Sequence, residues 1–223
     1  MTGADLLAIQ LTLECIGVDE DGLLVRIPGP YPDGIPRFYA AEFMGGRAMY
    51  CSSEVPASLR RTLLALPFER ARDDYGAVCR LLDQHALCEG VWAGASYTFP
   101  ADFPSPDDAT VVRLGASDHA LIERFDSELL AFPPPVYALL VDGAIVATCV
   151  SSRENAHAGE AWVQTHPAYR QRGYGRRVTA AWGAGLVRQG KIAFYSHRVD
   201  NAGSAAIARS LGLIRYLSDV GYM

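Results

Sequence analysis

The sequence predicts a mixed α/β fold, because short apolar runs alternate with helical patterns along its 223 residues. Two apolar runs, 137–141 and 144–151, are separated by Asp142-Gly143, a dipeptide typical of tight β-hairpins. From residue 160, a short extended run leads through an arginine- and glycine-rich loop into an amphipathic helical pattern. Half of the residues are hydrophobic and a fifth are charged, which is ordinary for a globular chain.

The first half of the chain, residues 1–108, is predicted to form a strand-and-helix accessory domain. Its last ten residues contain three prolines, which is typical of a linker between domains. One hypothesis is that this domain is a degenerate copy of the second half. We expect strands at 6–13, 22–27, 38–51 (two, around Gly45-Gly46) and 92–99, helices at 56–66 and 70–86, and a loop at 29–36.

The second half, residues 109–223, carries clearer signals. Ser117 can cap a helix that continues to Leu130, and Gly212 is a natural stop for the last helix. Besides the hairpin, we expect strands at 110–114, 160–164, 192–197 and 213–220, and helices at 117–130, 175–187 and 202–210.

The arginine- and glycine-rich loop before the helix at 175–187 has the properties of a phosphate site. Amides at the start of a helix lack partners within the helix and carry the positive end of its dipole. Gly173 and Gly175 remove side chains that would keep a phosphate away from the backbone. The guanidinium groups nearby suit phosphate oxygens, and they belong to Arg170, Arg172, Arg176 and Arg177.

Two other phosphate motifs can be set aside. A dinucleotide fingerprint needs a third glycine after Gly173 and Gly175, and Val178 stands there. A P-loop spacing occurs at residues 185–191, but Ile192 replaces the hydroxyl residue that should follow the lysine.

The segment RQRGYG, residues 170–175, resembles the R/Q-x-x-G-x-G/A coenzyme A loop of the GCN5-related N-acetyltransferases. The preceding THPAYR, residues 165–170, is similar to that family's path from strand to loop. NAGSAAIARSLGL, residues 201–213, resembles its second motif, N-x-x-S/A followed by a helix with a Leu-Gly end. The resemblance covers roughly residues 109–223.

This resemblance implies a mixed, mostly antiparallel central sheet flanked by helices in the order β-α-β-β-β-α-β-α-β. It also implies an N-acyltransferase that uses acetyl-CoA or another acyl-CoA, with direct attack by an amine in a ternary complex. The cofactor-binding residues that it implies are Val163, Gln164, Thr165, Arg170, Gln171, Arg172, Gly173, Tyr174, Gly175, Arg176, Asn201 and Ser204.

The catalytic candidates follow from the needs of acyl transfer to an amine. Glu160, or else His166, could remove the amine proton or activate a water. Many family members carry a proton-donating tyrosine seven residues after the motif asparagine, where this chain has Ala208. Substitutes for that acid are Ser204, Tyr195 and Tyr216, although packing with a hydrogen-bonded hydroxyl is the commoner reason for a tyrosine. Cys149 is interpreted as a core residue.

Composition narrows the class of partner. The net charge of −5 argues against nucleic-acid binding, and the five scattered cysteines indicate neither a metal site nor a disulfide frame. Because no apolar run is long enough to span a membrane, we expect a cytoplasmic protein. We expect its acceptor to be a small-molecule or peptide amine. A homodimer is a further hypothesis. The alternative function is an acyl-CoA-binding sensor or interaction module that has lost turnover.

Overall fold

A computed structural model describes residues 1–30 and 34–223, and it shows a mixed α/β fold of mostly antiparallel strands flanked by helices. The loop predicted for residues 29–36 falls partly outside the described residues. No helix among the described residues is long and apolar enough to cross a lipid bilayer. The elements in chain order are α1 (Gly3–Leu13), β1 (Ile16–Val18), β2 (Leu24–Arg26), β3 (Phe38–Phe43), β4 (Gly46–Cys51), α2 (Ala57–Leu64), α3 (Phe68–Asp73), α4 (Tyr75–Leu82), β5 (Val91–Thr98), β6 (Val111–Leu114), α5 (His119–Phe125), β7 (Val136–Val141), β8 (Ala144–Glu154), β9 (Ala158–Thr165), α6 (Tyr174–Arg188), β10 (Ile192–Arg198), α7 (Ala202–Ser210) and β11 (Ile214–Tyr222).

The chain divides into two compact units. The first comprises Met1–Ser96, His197–Asn201 and Arg215–Met223, and the second comprises Tyr97–Ser196 and Ala202–Ile214. The domain boundary predicted at residue 108 stays a prediction.

In the first unit, four strands lie in the order β4-β3-β11-β5, and both β4 and β11 are antiparallel to β3. Helices α2, α3 and α4 contribute Leu63, Ala71 and Val78 to a core that also contains Phe38 of β3 and Tyr222 of β11. A separate two-stranded sheet joins β1 to β2.

Two predictions for the first unit need correction. Residues 6–13 form helix α1 rather than a strand, because Thr2 and Asp5 build a reciprocal capping box at its start. The single helix predicted for 70–86 is two helices, since Asp74 ends α3 and then caps α4 by accepting the Ala77 N–H at 3.0 Å.

From β6 to β11 the elements follow the order predicted for the second half of the chain, but the last of them, β11, belongs almost entirely to the first unit, and the other elements form the second unit. Its strands lie in the order β10-β9-β8-β7-β6, with β9 and β10 parallel and the other pairs antiparallel. The Asp142-Gly143 hairpin is confirmed, with φ values of 50° and 77°. Helix α6 is amphipathic as predicted, and it packs through the buried residues Val178, Trp182 and Leu186.

Two further differences concern the borders of the second unit. The helix predicted for 117–130 stops at Phe125, because Asp126 is extended and caps a separate 3₁₀ turn over Ser127–Ala131. The segment 99–108, which is predicted to be a linker, is exposed at residues 101, 102, 104, 105 and 107 but is anchored at its first residue. Phe99 is buried, and its ring lies 5.9 Å from that of Trp182 in α6.

Candidate functional site

The parallel strands β9 and β10 separate midway along their length. Their pairing ends at Glu160 and Phe194, whereas β9 runs on to Thr165. Over residues 161–165, β9 keeps its antiparallel pairing with β8 and has no described pairing with β10. This opening exposes backbone amide and carbonyl groups along one edge of β9, where an extended ligand could pair with them.

The loop after β9 brings the chain round into α6. A 3₁₀ turn over Pro167–Tyr169 is followed by two residues in the left-handed region, Gln171 (φ 61°) and Gly173 (φ 77°). The Arg170 side chain donates from Nε to the Thr165 carbonyl over 3.3 Å and so fastens the loop to the end of β9. The ring of His166 caps the turn, with Nδ1 accepting the Ala168 N–H at 3.3 Å, which supports a positional role.

The N-terminus of α6 is open to an anion. Gly173 is its N-cap and supplies no side-chain cap, and the first helical bond runs from the Arg177 N–H to the Gly173 carbonyl. No acidic residue lies in the first turn of this 15-residue helix. A Cβ built on Gly173 would meet no heavy atom within 4 Å. Space is therefore free beside the N-cap, where the first amides of α6 carry the positive end of the helix dipole.

The four arginines predicted to surround this point do not share one role. Arg170, Arg172 and Arg176 are exposed beside the loop. Arg177 instead pairs with Asp108 through two bonds, Nε–Oδ2 at 2.7 Å and Nη2–Oδ1 at 2.8 Å, and Nη2 also donates to the Thr110 hydroxyl. These bonds hold the pKa of the Asp108 carboxyl well below its usual range. Arg177 thus anchors α6 to the segment before β6, which corrects the prediction that it surrounds the phosphate.

Two aromatic rings, those of Tyr174 and Tyr169, connect the Arg177–Asp108 ion pair to the loop before α6. The Arg177 guanidinium lies 5.8 Å from the ring centre of Tyr174, and Tyr174 stacks on Tyr169 at 6.3 Å. Arg172 lies over Tyr169 at 5.2 Å. Tyr174 therefore contributes a packed ring to the predicted cofactor loop, and this packing orients Arg172.

Gly175 has a packing reason that the motif did not reveal. A Cβ at this position would lie 3.0 Å from Thr165 Oγ1 and 3.2 Å from Ile207 Cδ1. Glycine therefore lets the first turn of α6 approach β9 and α7 closely. Its backbone N–H still belongs to the open end of the helix.

Alternate residues of β9 face opposite sides of the sheet. Val163 and Thr165 lie toward α6, since both are close to the Cβ position of Gly175. Gln164 lies on the other side, where its Nε2 donates to Asp126 Oδ2 over 2.8 Å. Gln164 can therefore offer only its backbone, and not its side chain, to a ligand on the α6 side of β9.

Glu160 stands where β9 and β10 separate, and it is buried with its carboxylate already bonded. Ser196 donates to Oε1, and Arg153 Nη1 lies 3.2 Å from Oε2. Glu160 is only 4% exposed, so this acid lies inside the protein and not on its surface. The carboxylate is therefore held in one orientation by two bonded neighbours, from which it can orient a polar group in turn.

The acid candidates lie in different surroundings. Tyr195 is buried and donates its hydroxyl to the Ser204 carbonyl over 3.3 Å, and burial raises its pKa to about 12. Ser204 is half-buried in the first turn of α7, and Asn201 is exposed directly before that helix. Tyr216 belongs to the first unit, where its hydroxyl donates to Gln10 Oε1.

Two core positions complete this region. Ala208, which stands where the family resemblance expects a tyrosine, is fully buried in the same apolar cluster as Tyr195. Cys149 is also fully buried, and burial raises the pKa of its thiol, which agrees with a core residue.

Sequence reasoning missed Asp108, Asp126, Arg153 and Ser196. Each acts through a side chain that folding brings from elsewhere, such as Asp108, which is 69 residues from Arg177. No local pattern marks such partners, and only the acidic character of Asp108 at the end of a proline-rich run could have drawn attention to it.

Comparisons with known proteins support the sequence resemblance. Residues 142–220 match the family model described as FR47-like protein. No curated protein sequence matches the chain. The structure is similar to an acetyltransferase from the GNAT family of Colwellia psychrerythraea, with a TM-score of 0.52 and 11% identity over 93% of this chain and 79% of that one. It is also similar to a GCN5-related N-acetyltransferase from Sphaerobacter thermophilus, with a TM-score of 0.51 and 17% identity over 90% of this chain and 79% of that one.

Both likenesses cover at least 90% of this chain, so they extend beyond residues 109–223 into the N-terminal half. At these identities the structural likeness establishes the fold, and the family model adds a sequence signal over residues 142–220. The resemblance of this chain to the GCN5-related N-acetyltransferase family is therefore confirmed.

Proposed function

We propose that this chain is an acyl-CoA-dependent N-acyltransferase of the cytoplasm, transferring an acetyl group most readily. The observation that carries the proposal is the uncapped N-terminus of α6, where Gly173 leaves the amides open at the end of the separated strand β9. The acetyltransferases of Colwellia psychrerythraea and Sphaerobacter thermophilus that share this fold support the same activity.

The residues present fit coenzyme A. Its diphosphate matches the amides of residues 173–176 and the exposed guanidinium groups of Arg172 and Arg176. Its extended amide-bearing arm matches the edge of β9 over residues 161–165, which is not paired with β10. Acyl-CoA supplies an activated thioester whose acyl group an amine can accept.

The acceptor amine must be unprotonated to attack. For a lysine-like amine at neutral pH, deprotonation costs about 4.6 kcal/mol, from a gap of about 3.4 pKa units. Glu160 is suited to orient a water that takes this proton, because its own oxygens are held by Arg153 and Ser196. Tyr195, which keeps its proton with a pKa of about 12, and Ser204 stay the candidates for protonating the departing thiolate.

The acceptor in this proposal is a primary amine of a small molecule or peptide. The test measures binding and turnover separately. Calorimetry reports binding of acetyl-CoA and longer acyl-CoAs, and chromatography reports free CoA released with a broad panel of amines. We expect binding together with amine-dependent release. Failure of every acyl-CoA to bind at millimolar concentration would refute the proposal.

Binding without release for any amine would support the alternative, a non-catalytic acyl-CoA sensor. The variant Glu160→Gln further distinguishes the enzyme from the non-catalytic sensor. Glu154→Gln is its matched control, because it breaks a comparable ion pair, Lys191 Nζ to Glu154 Oε1 at 2.6 Å. Both variants should lose stability by about 1 kcal/mol, because each half-buried cation then faces a neutral amide in place of a carboxylate. Only Glu160→Gln should lose turnover.

A further inference from the structure

Two cysteines of the first unit, Cys79 and Cys88, lie side by side. The Cys79 thiol donates a hydrogen bond to the Cys88 sulfur across 2.9 Å, although nine positions separate them in the sequence. This distance approaches the length of a disulfide bond, about 2.05 Å. The other three cysteines, Cys15, Cys51 and Cys149, are buried singly in the chain's interior.

Local structure holds the two sulfur atoms together. The chain reverses directly after α4, where the Ala86 N–H bonds back to the Leu82 carbonyl at 3.1 Å. Asp83 then accepts the Cys88 N–H at 2.8 Å. The Arg37 guanidinium donates to the carbonyls of Leu82 at 3.0 Å and Ala86 at 2.7 Å. Because the backbone of this turn is fixed by these bonds, joining the sulfur atoms needs little rearrangement.

The pair is also accessible in a way that the other cysteines are not. Cys79 and Cys88 are half-buried, so a small oxidant can reach them. Both pack against the apolar core of the first unit, which includes Leu82 and Tyr222. An apolar environment stabilises an uncharged disulfide at least as well as it stabilises two thiols.

We propose that Cys79 and Cys88 are an oxidation site that forms a reversible intramolecular disulfide. With glutathione disulfide as the oxidant, the Cys88 thiolate attacks one sulfur, and the first glutathione leaves as a thiolate. That thiolate takes the Cys79 proton. The Cys79 sulfur then attacks Cys88 and displaces the second glutathione, which takes a proton from water. The two protein thiols lose two electrons in total, and glutathione disulfide gains them as two glutathione thiols.

The order of these steps follows from the geometry of the pair. Cys79 is the hydrogen-bond donor, and burial together with that bond raises the pKa of its thiol to about 12. Cys79 therefore keeps its proton while Cys88, the acceptor, makes the first attack. The product links α4 to the segment before β5 and restricts the unfolded chain, so oxidation should raise the melting temperature.

Arg80 allows a direct test, because trypsin cuts after it and separates the two cysteines. The full-length protein is treated with dithiothreitol or with excess glutathione disulfide, its free thiols are alkylated, and it is digested without reductant. We expect the peptides 73–80 and 81–113 to be separate and alkylated after dithiothreitol, and joined after glutathione disulfide. The mass of the joined peptides should lie about 2 Da below the summed masses of the two peptides with free thiols.

Cys79→Ser and Cys88→Ser are the matched controls, each leaving one member of the pair. Neither should give the joined peptides, and the melting temperature of Cys88→Ser should not rise on oxidation as that of the natural sequence does. Peptides that stay separate in excess glutathione disulfide would overturn the proposal. So would either cysteine joined to glutathione or to a third cysteine in place of its partner.

Discussion

Replacing Gly173 by alanine adds one methyl group at the point where the loop becomes α6. Gly190, just beyond the other end of that helix, offers a matched control. The two glycines have φ values of 77° and 72°, and a Cβ on either would meet no heavy atom within 4 Å. Alanine in this left-handed conformation costs about 1–2 kcal/mol at each site. The melting temperature of both variants should therefore fall by about 2–4 °C for each kcal/mol of folding stability that is lost.

Binding of coenzyme A should distinguish the two variants. A methyl group on Gly173 stands among the amides that open α6, whereas one on Gly190 does not. If it displaces the diphosphate from two charge-assisted hydrogen bonds of about 1.5 kcal/mol each, the Kd rises about 100-fold. Calorimetric titration with CoA measures this change, and scanning calorimetry confirms that the two stabilities are matched. Equal affinities for Gly173→Ala and Gly190→Ala would refute the assignment of this helix end as the anion site.

Three further predictions concern neighbouring residues. Arg176→Ala should weaken CoA binding about tenfold at low salt with little loss of stability, whereas Arg177→Ala should destabilise the fold by about 1 kcal/mol by releasing Asp108. The pKa of Asp108 is lower in the folded chain than in the unfolded chain, where it is about 3.9. Above about pH 3.9, the ion pair of Asp108 with Arg177 therefore stabilises the fold in full. This stabilisation is lost as the pH falls through the lower pKa of the folded chain. Asp108→Asn should thus flatten the acid side of the stability curve in urea unfolding, and an unchanged slope would contradict this. Tyr195→Phe should cost about 1 kcal/mol by losing its bond to Ser204. A tenfold fall in its kcat would make Tyr195 the proton donor, whereas an unchanged kcat would leave Ser204 as the candidate.

The sequence could predict those elements whose signals are local. Hairpin chemistry at Asp142-Gly143, the stop at Gly212 and the apolar face of α6 each depend on a few adjacent residues, and all three are observed. The open helix end at Gly173 was predictable for the same reason. A short motif specifies backbone conformation, and backbone conformation alone determines where these amides lie.

The errors arose where polar side chains override an apolar pattern. Residues 6–13 read as a strand, but the Thr2–Asp5 box starts a helix there. Asp74 and Asp126 each interrupt a helical pattern by bonding a backbone N–H two or three residues ahead. The partners of Glu160 lay beyond prediction because they depend on tertiary contacts that leave no trace in the local sequence.

Adjacent residues of the motif have different roles, and helix geometry explains why. Successive residues of an α-helix point about 100° apart, so Arg176 and Arg177 leave the helix on different sides. Arg176 is exposed beside the helix end, and Arg177 turns back to pair with Asp108. The two glycines divide similarly, since Gly173 is open for a ligand and Gly175 allows close packing on β9 and α7. The motif therefore combines an anion site with the packing that holds it in place, and a substitution at either kind of position would weaken binding by a different route.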